Sequence, residues 1–176
     1  MQRKPRIVVL WDLQNTPCKK RNYPIAALLN YLKKCGSIEY AAVFHEFKNR
    51  DDWEKFEDAG FCPILASTRK KNNADYVITN HANNLLHNPN LTIVAFVTSD
   101  GDFIPLVKDL QNAGKKVWVI HKNELSQKLR LAADRCIPWS EITGAILLAL
   151  YRPSHPLGNN LNVNRRNSNL LLELSR

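Results

Sequence analysis

Much of what this chain lacks is informative. Its four cysteines, Cys18, Cys35, Cys62 and Cys136, are scattered and form no CxxC pair. That argues against a zinc site and a redox motif and leaves reduced, mostly buried thiols. No apolar run approaches the roughly 20 residues of a membrane helix; Ile142–Tyr151 is about half that length. The basic start MQRKPRIVVLWD turns apolar only briefly before Asp12 interrupts it, too soon for a secretory leader. A cytoplasmic location and no membrane partner are the expectations that follow. No glycine falls in WDLQNTPCKK, after the first apolar run, where a phosphate-cradling loop would need one. A nucleotide-binding or phosphatase-like doubly wound domain is therefore disfavoured. Acidic residues are also in the minority. Lysine and arginine number 25 against 16 aspartates and glutamates, a formal charge of +9, which suggests a polyanionic partner, nucleic acid first.

What is present is enough apolar residue, 44% of 176, to bury a core without disulfide staples. Apolar runs and amphipathic stretches alternate. Arg6–Asp12 reads as a buried strand ending on a carboxylate, and Leu91–Thr98 as the most buried strand. Further strands are predicted at Glu39–Phe47, Phe61–Ala66, Lys116–His121 and, shorter, Cys136–Trp139. Helices are predicted at Tyr23–Cys35 with Gly36 as its cap, Asp51–Ala59, Asn73–His87, Asp102–Ala113 and Glu124–Ala133. Alternation of this kind predicts an α/β fold, a three-layer α/β/α sandwich around a parallel sheet. Residues 1–150 form the expected domain. From 151 to 176 the chain is rich in Pro, Asn and Arg without apolar periodicity, and a flexible basic tail is expected.

In such a sheet ligands bind beyond the carboxyl ends of the strands, where strand order reverses. Asp12 ends the first strand, and Asp100 and Asp102 follow the most buried one in TSDGDF. If those strands are neighbours, the carboxylates converge and require a hard divalent cation, Mg2+ or Mn2+, that would serve phosphate hydrolysis. Plainer roles exist for each. Asp102 or Ser99 would cap the helix that follows, and Asp12 would close an Asx turn. Capping accounts for one aspartate, but not for its twin or for Asp12. Asn15, three residues beyond Asp12, would orient a water, a phosphate or Asp12 itself. Asp75 opens the third helix, a place the helix dipole favours without any metal.

The order WDLQN, a basic loop with NNADYVITNHA, then VTSDGDFIPLVKDLQNAGKKVWVI resembles the NYN domain family, a branch of the PIN-like ribonucleases that includes LabA-like bacterial proteins. The resemblance spans roughly residues 6–140. It implies a PIN-like fold with strand order 3-2-1-4-5, one or two divalent ions, and RNA cleavage. Asp12, Asp75, Asp100 and Asp102 would be the catalytic metal ligands, and Asn15 and Ser99 would hold substrate. Many members carry another aspartate about two turns after the position of Asp75. Here Asn80 and His81 stand there, so His81 is an alternative ligand or a plain helix-surface residue. A catalytically weak PIN-like module that binds RNA or a regulatory protein is accordingly the rival reading.

Two basic clusters, Lys19-Lys20-Arg21 and Arg69-Lys70-Lys71, are expected to flank the crevice and hold phosphates largely without sequence readout. Trp11, Tyr23 and Trp53 are candidate base-stacking aromatics, with core packing the plainer role for the first two. Lys115, Lys116 and Lys122 read as a solvated rim. The expected partner is single-stranded RNA; a homo-oligomer is left open.

Overall fold

Alternate residues of the first strand face opposite ways, and this sets the architecture. In β1 (Arg6–Asp12), Ile7, Val9 and Trp11 belong to one apolar core, while Val8 and Leu10 belong to another. A strand buried on both faces must lie in mid-sheet with helices on either side. The computed structural model of the protein describes residues 4–18, 25–66, 73–122 and 124–150, with side chains described except at 73 and 145–150. Its other strands are β2 (Ser37–His45), β3 (Cys62–Leu65), β4 (Ile93–Val97), β5 (Lys116–His121) and β6 (Arg135–Pro138). All pair in parallel, in the order β3-β2-β1-β4-β5-β6. The expected order 3-2-1-4-5 is present, with β6 added beside β5.

The helices are α1 (Ile25–Lys33), α2 (Arg50–Asp58), α3 (Asn73–Leu86), α4 (Ile104–Asn112), α5 (Gln127–Ala132) and α6 (Trp139–Leu150). Leu28 and Leu32 of α1, Phe56 of α2 and Ile142 of α6 cover one face of the sheet. Ala74, Ile78 and Ala82 of α3, Leu106 and Leu110 of α4, and Leu129 of α5 cover the other. Each of these side chains, fully buried, contributes roughly 1.5–3 kcal/mol if it is a leucine, isoleucine or phenylalanine.

Three details depart from the sequence reading. Gly36 is not a left-handed cap, since the positive-φ glycines among the described residues are Gly60 and Gly114. It is needed for space, because a Cβ there would overlap the Pro5 carbonyl oxygen, to which Ser37 donates its backbone N–H. The helix expected at Asp102–Ala113 begins as a single 3-10 turn, Gly101–Phe103, before α4 proper with Pro105 in its first turn. The third departure is α6, which the sequence reading left without an element. Trp139 is the first residue of α6, not the last of β6, and is buried against Trp11 at 5.3 Å between ring centroids.

Candidate functional site

β1 and β4 are hydrogen-bonded neighbours, in the register Trp11↔Val97. The residue after each pair partner, Asp12 and Thr98, therefore stands level at the carboxyl edge of the sheet. Asp12 continues the alternation of Val8 and Leu10 and so points toward the α3 side, where it is buried. Both of its oxygens are engaged. Oδ1 accepts the backbone N–H of Asn15 at 3.2 Å, and Oδ2 accepts the hydroxyl of Thr98 at 3.4 Å. Asp12 thus does close an Asx turn, with only one of its two oxygens.

Asn15 ties the loop after β1 to the loop after β4. Its Nδ2 donates to Asp100 Oδ2 at 3.4 Å, and its Oδ1 accepts the Ser99 backbone N–H at 3.2 Å. Asp100 in turn accepts the Asp102 backbone N–H on Oδ1 at 2.9 Å, so Asp100, rather than Asp102 or Ser99, is the cap of the turn. Ser99 enters this network through its backbone. Gly101, between the two aspartates, lies close to α5, since a Cβ there would come to 3.0 Å from Ser126 Oγ and the serine would have to give way.

Charge joins Asp75 to this group. Burial raises its pKa, and the charges of Asp100 and Asp102 raise it further. Burial likewise pushes Asp12 up to about 6 from the ordinary 3.8. The Asn15 N–H opposes that shift, and the charge of Asp75 adds to it. Asp75 of α3 is therefore within charge range of Asp12 at the end of β1 and of Asp100 and Asp102 after β4. Among the described residues, no salt bridge involves any of the four. No three or more His, Cys, Asp or Glu groups among those residues are drawn tightly enough together to chelate an ion in this geometry. The donor set is all oxygen and its charge excess is negative, which suits a hard divalent cation rather than zinc or copper.

His81 lies two turns along α3 from Asp75, about 9 Å down the axis. Its ring stacks on Tyr40 at 5.4 Å and meets Phe44 edge-on at 5.5 Å. Burial lowers its pKa, with no carboxylate among the causes. Trp11 is core, fully buried, with its indole N–H on the Thr16 carbonyl at 2.9 Å, so it offers no face to a base. Trp53 is half-buried against Phe47. Lys115 is not on a solvated rim. It is buried at the amino edge of the sheet, with its ammonium on the Asn88 carbonyl. Lys122 reaches the Pro17 carbonyl at 3.1 Å, beside the loop after β1. Lys19, Lys20, Arg21, Tyr23, Arg69, Lys70, Lys71 and the segment 151–176 lie outside the described residues.

Sequence reasoning missed Thr98. It is buried, and its Oγ1 also accepts the Asp100 N–H at 3.2 Å. The signal was present as the threonine of TSDGDF, but only the β1–β4 register sets it level with Asp12. Gln14 was missed as well; its Nε2 donates to the Ala66 carbonyl at 3.4 Å and joins the loops after β1 and β3.

Comparison with known proteins agrees with the fold. The NYN domain matches residues 6–146. An uncharacterized protein of Methanocaldococcus jannaschii is 29% identical over 116 residues, which is 65% of this chain and 47% of that protein. The chain thus spans about half the length of that relative. The crystal structure of a protein of unknown function from Vibrio parahaemolyticus has the same fold, with a TM-score of 0.68 at 24% identity, over 81% of this chain and 98% of the other.

Proposed function

The chain belongs to the NYN domain family, and from that premise we propose that it is a metal-dependent ribonuclease that cleaves RNA phosphodiester bonds at Asp12, Asp75, Asp100 and Asp102. The NYN domain implies a nuclease-like PIN fold, NYN domains are typically nucleases, and PIN-like nucleases generally use divalent metals. The observation that supports the finer reading is the placement of Asp12 and Asp100, each bonded to both Asn15 and Thr98 at the β1–β4 edge, with Asp75 within charge range.

In this reading the four carboxylates hold Mg2+ or Mn2+. Such an ion supplies a Lewis acid that makes water nucleophilic near pH 7 and offsets charge on the scissile phosphate. The chain's own residues do the rest. Thr98 and the Asn15 N–H fix the orientation of Asp12, and Asn15 and the Asp102 N–H fix that of Asp100. The Asn15 amide and the Ser99 region line the place where the phosphate would lie. Lys19, Lys20, Arg21, Arg69, Lys70 and Lys71 supply backbone affinity. The partner is RNA, and the reading includes a cytoplasmic location; no helix among the described residues is long and apolar enough to cross a membrane.

The test is cleavage of end-labelled single-stranded RNA by the whole chain, with Mn2+ and with chelator. Cleavage that requires the ion and vanishes in Asp100→Asn supports the assignment, and no cleavage under any metal overturns it. A second reading, a catalytically weak module that binds RNA or a protein, draws on His81, whose ring packs on Tyr40 and Phe44. Under that reading the wild type retains RNA or a protein partner and leaves RNA whole with Mn2+.

A further inference from the structure

Ser126 brings to the acidic turn a hydroxyl that the fold leaves unused. It directly precedes α5, in the position from which a serine side chain ordinarily caps a helix by accepting a backbone N–H. Here the side chain makes no such bond, and no hydrogen bond joins its hydroxyl to any described residue. It turns instead onto Gly101, between Asp100 and Asp102. Its Oγ lies 3.0 Å, and its Cβ 3.5 Å, from the point where a Cβ on Gly101 would sit. The absence of a side chain at Gly101 leaves room for that approach. Ser126 is half-buried rather than sealed in the core.

The sheet extends the site toward the same place. Val97 pairs with Ile120, and Thr98 donates its N–H to the Ile120 carbonyl at 3.1 Å. His121 therefore stands level with Thr98. It alternates with Val117 and Val119 and so faces the same side as Thr98 and Asp12, where it too is buried. Asp12, Thr98 and His121 form one polar row across the carboxyl edge of β1, β4 and β5. That row leads from the carboxylates toward α5, which packs against the turn Gly101–Phe103. Several donors around the turn are already engaged. The Thr98 hydroxyl and the Asn15 N–H bond Asp12, while the Asn15 amide and the Asp102 N–H bond Asp100.

We propose that Ser126 is a further catalytic residue, whose hydroxyl donates a hydrogen bond to a non-bridging oxygen of the phosphate that the acidic site takes; this rests on the ribonuclease reading above. The hydroxyl is neutral, so it holds a phosphate oxygen without competing with the carboxylates for a divalent ion. A hydrogen bond to a charged oxygen is also stronger than one between neutral groups. The backbone N–H groups of α5, a helix of six residues, have no part in this assignment.

The experiment compares the full chain with Ser126→Ala and Ser126→Thr. Melting temperature and Mn2+ affinity are measured on the RNA-free protein, and cleavage of a labelled single-stranded RNA is followed in Mn2+. Binding of the same RNA is followed by fluorescence anisotropy in Ca2+, with the RNA checked to be whole. Ser126→Ala should keep the melting temperature and Mn2+ affinity of the wild type and lose about 10- to 100-fold in kcat/KM. Ser126→Thr retains the hydroxyl and should recover most of that loss. Cleavage by Ser126→Ala equal to the wild type overturns the proposal. A loss that comes with a matching fall in Mn2+ affinity or melting temperature overturns it too, as does one that Ser126→Thr does not repair. A wild type that binds the RNA but cleaves it under no metal retires the ribonuclease reading. Weaker binding by Ser126→Ala then leaves the phosphate contact standing, and equal binding overturns it. A wild type that binds no RNA overturns both.

Discussion

At the scale of single residues, the crevice is a set of carboxylates that repel one another. Asp12→Asn and Asp100→Asn keep the shape and remove the charge, so each should abolish metal-dependent cleavage while the protein stays folded. The apo protein should be as stable or stabler. For Asp12 the gain at pH 7 is up to about 3 kcal/mol, because its folded-state pKa, about 6, lies above the ordinary 3.8. The folded protein holds that proton more tightly than the unfolded chain does. The stability this group contributes is fully present below about pH 4 and is lost as pH rises through about 6. A melting-temperature series on wild type and Asp12→Asn between pH 4 and 8 checks this, with the two curves diverging toward high pH. Metal needs the ionised form, so Mn2+ binding to the apo wild type should weaken as pH drops through about 6. Thr98 lowers the Asp12 pKa through its hydroxyl. Thr98→Val should therefore move the pH at which the apo protein loses Mn2+ binding upward, and Thr98→Ser should restore it.

At the scale of elements, α6 is part of the core rather than an appendage. Trp139, its first residue, packs on Trp11 at 5.3 Å, and Trp11 also meets Phe56 and Phe61 edge-on. Trp11 immediately precedes Asp12, so this aromatic cluster braces the strand end that presents the carboxylate. Trp139→Ala should cost about 3–5 kcal/mol in urea unfolding, with a smaller loss of cleavage at temperatures where the variant stays folded. A variant as stable as wild type would mean that the Trp11–Trp139 contact does not brace the strand. The same element shows where sequence reading stopped. Residues 145–150, AILLAL, are so uniformly apolar that helical periodicity marks no face there, and the short β6 before it was legible only to within a residue.

At the scale of the whole molecule, the excess of 25 basic over 16 acidic residues should govern affinity more than selectivity. RNA affinity should fall by roughly 0.7 log units per log unit of salt for each phosphate neutralised on a single strand. Replacing Arg69, Lys70 and Lys71 together with alanine should flatten that slope, and an unchanged slope in a salt titration would show that these residues do not meet the RNA.

The sequence by itself determined the alternation of strands and helices, the bounds of β1 and β5 to the residue, and the carboxylates that end β1 and follow β4. Those features depend on local periodicity and on which residue types terminate an element, and both are written along the chain. The strand order came from the family resemblance, and the structure extended it by β6. Other features were set only by tertiary structure. The register Trp11↔Val97 levels Thr98 with Asp12, and the inward turn of Trp11 removes it from the surface. His81 lies against Tyr40, and Ser126 is brought onto Gly101. Register and helix facing are fixed by packing between segments distant in sequence, where a shift of one residue in a strand moves a side chain to the opposite face, and no local pattern carries that information.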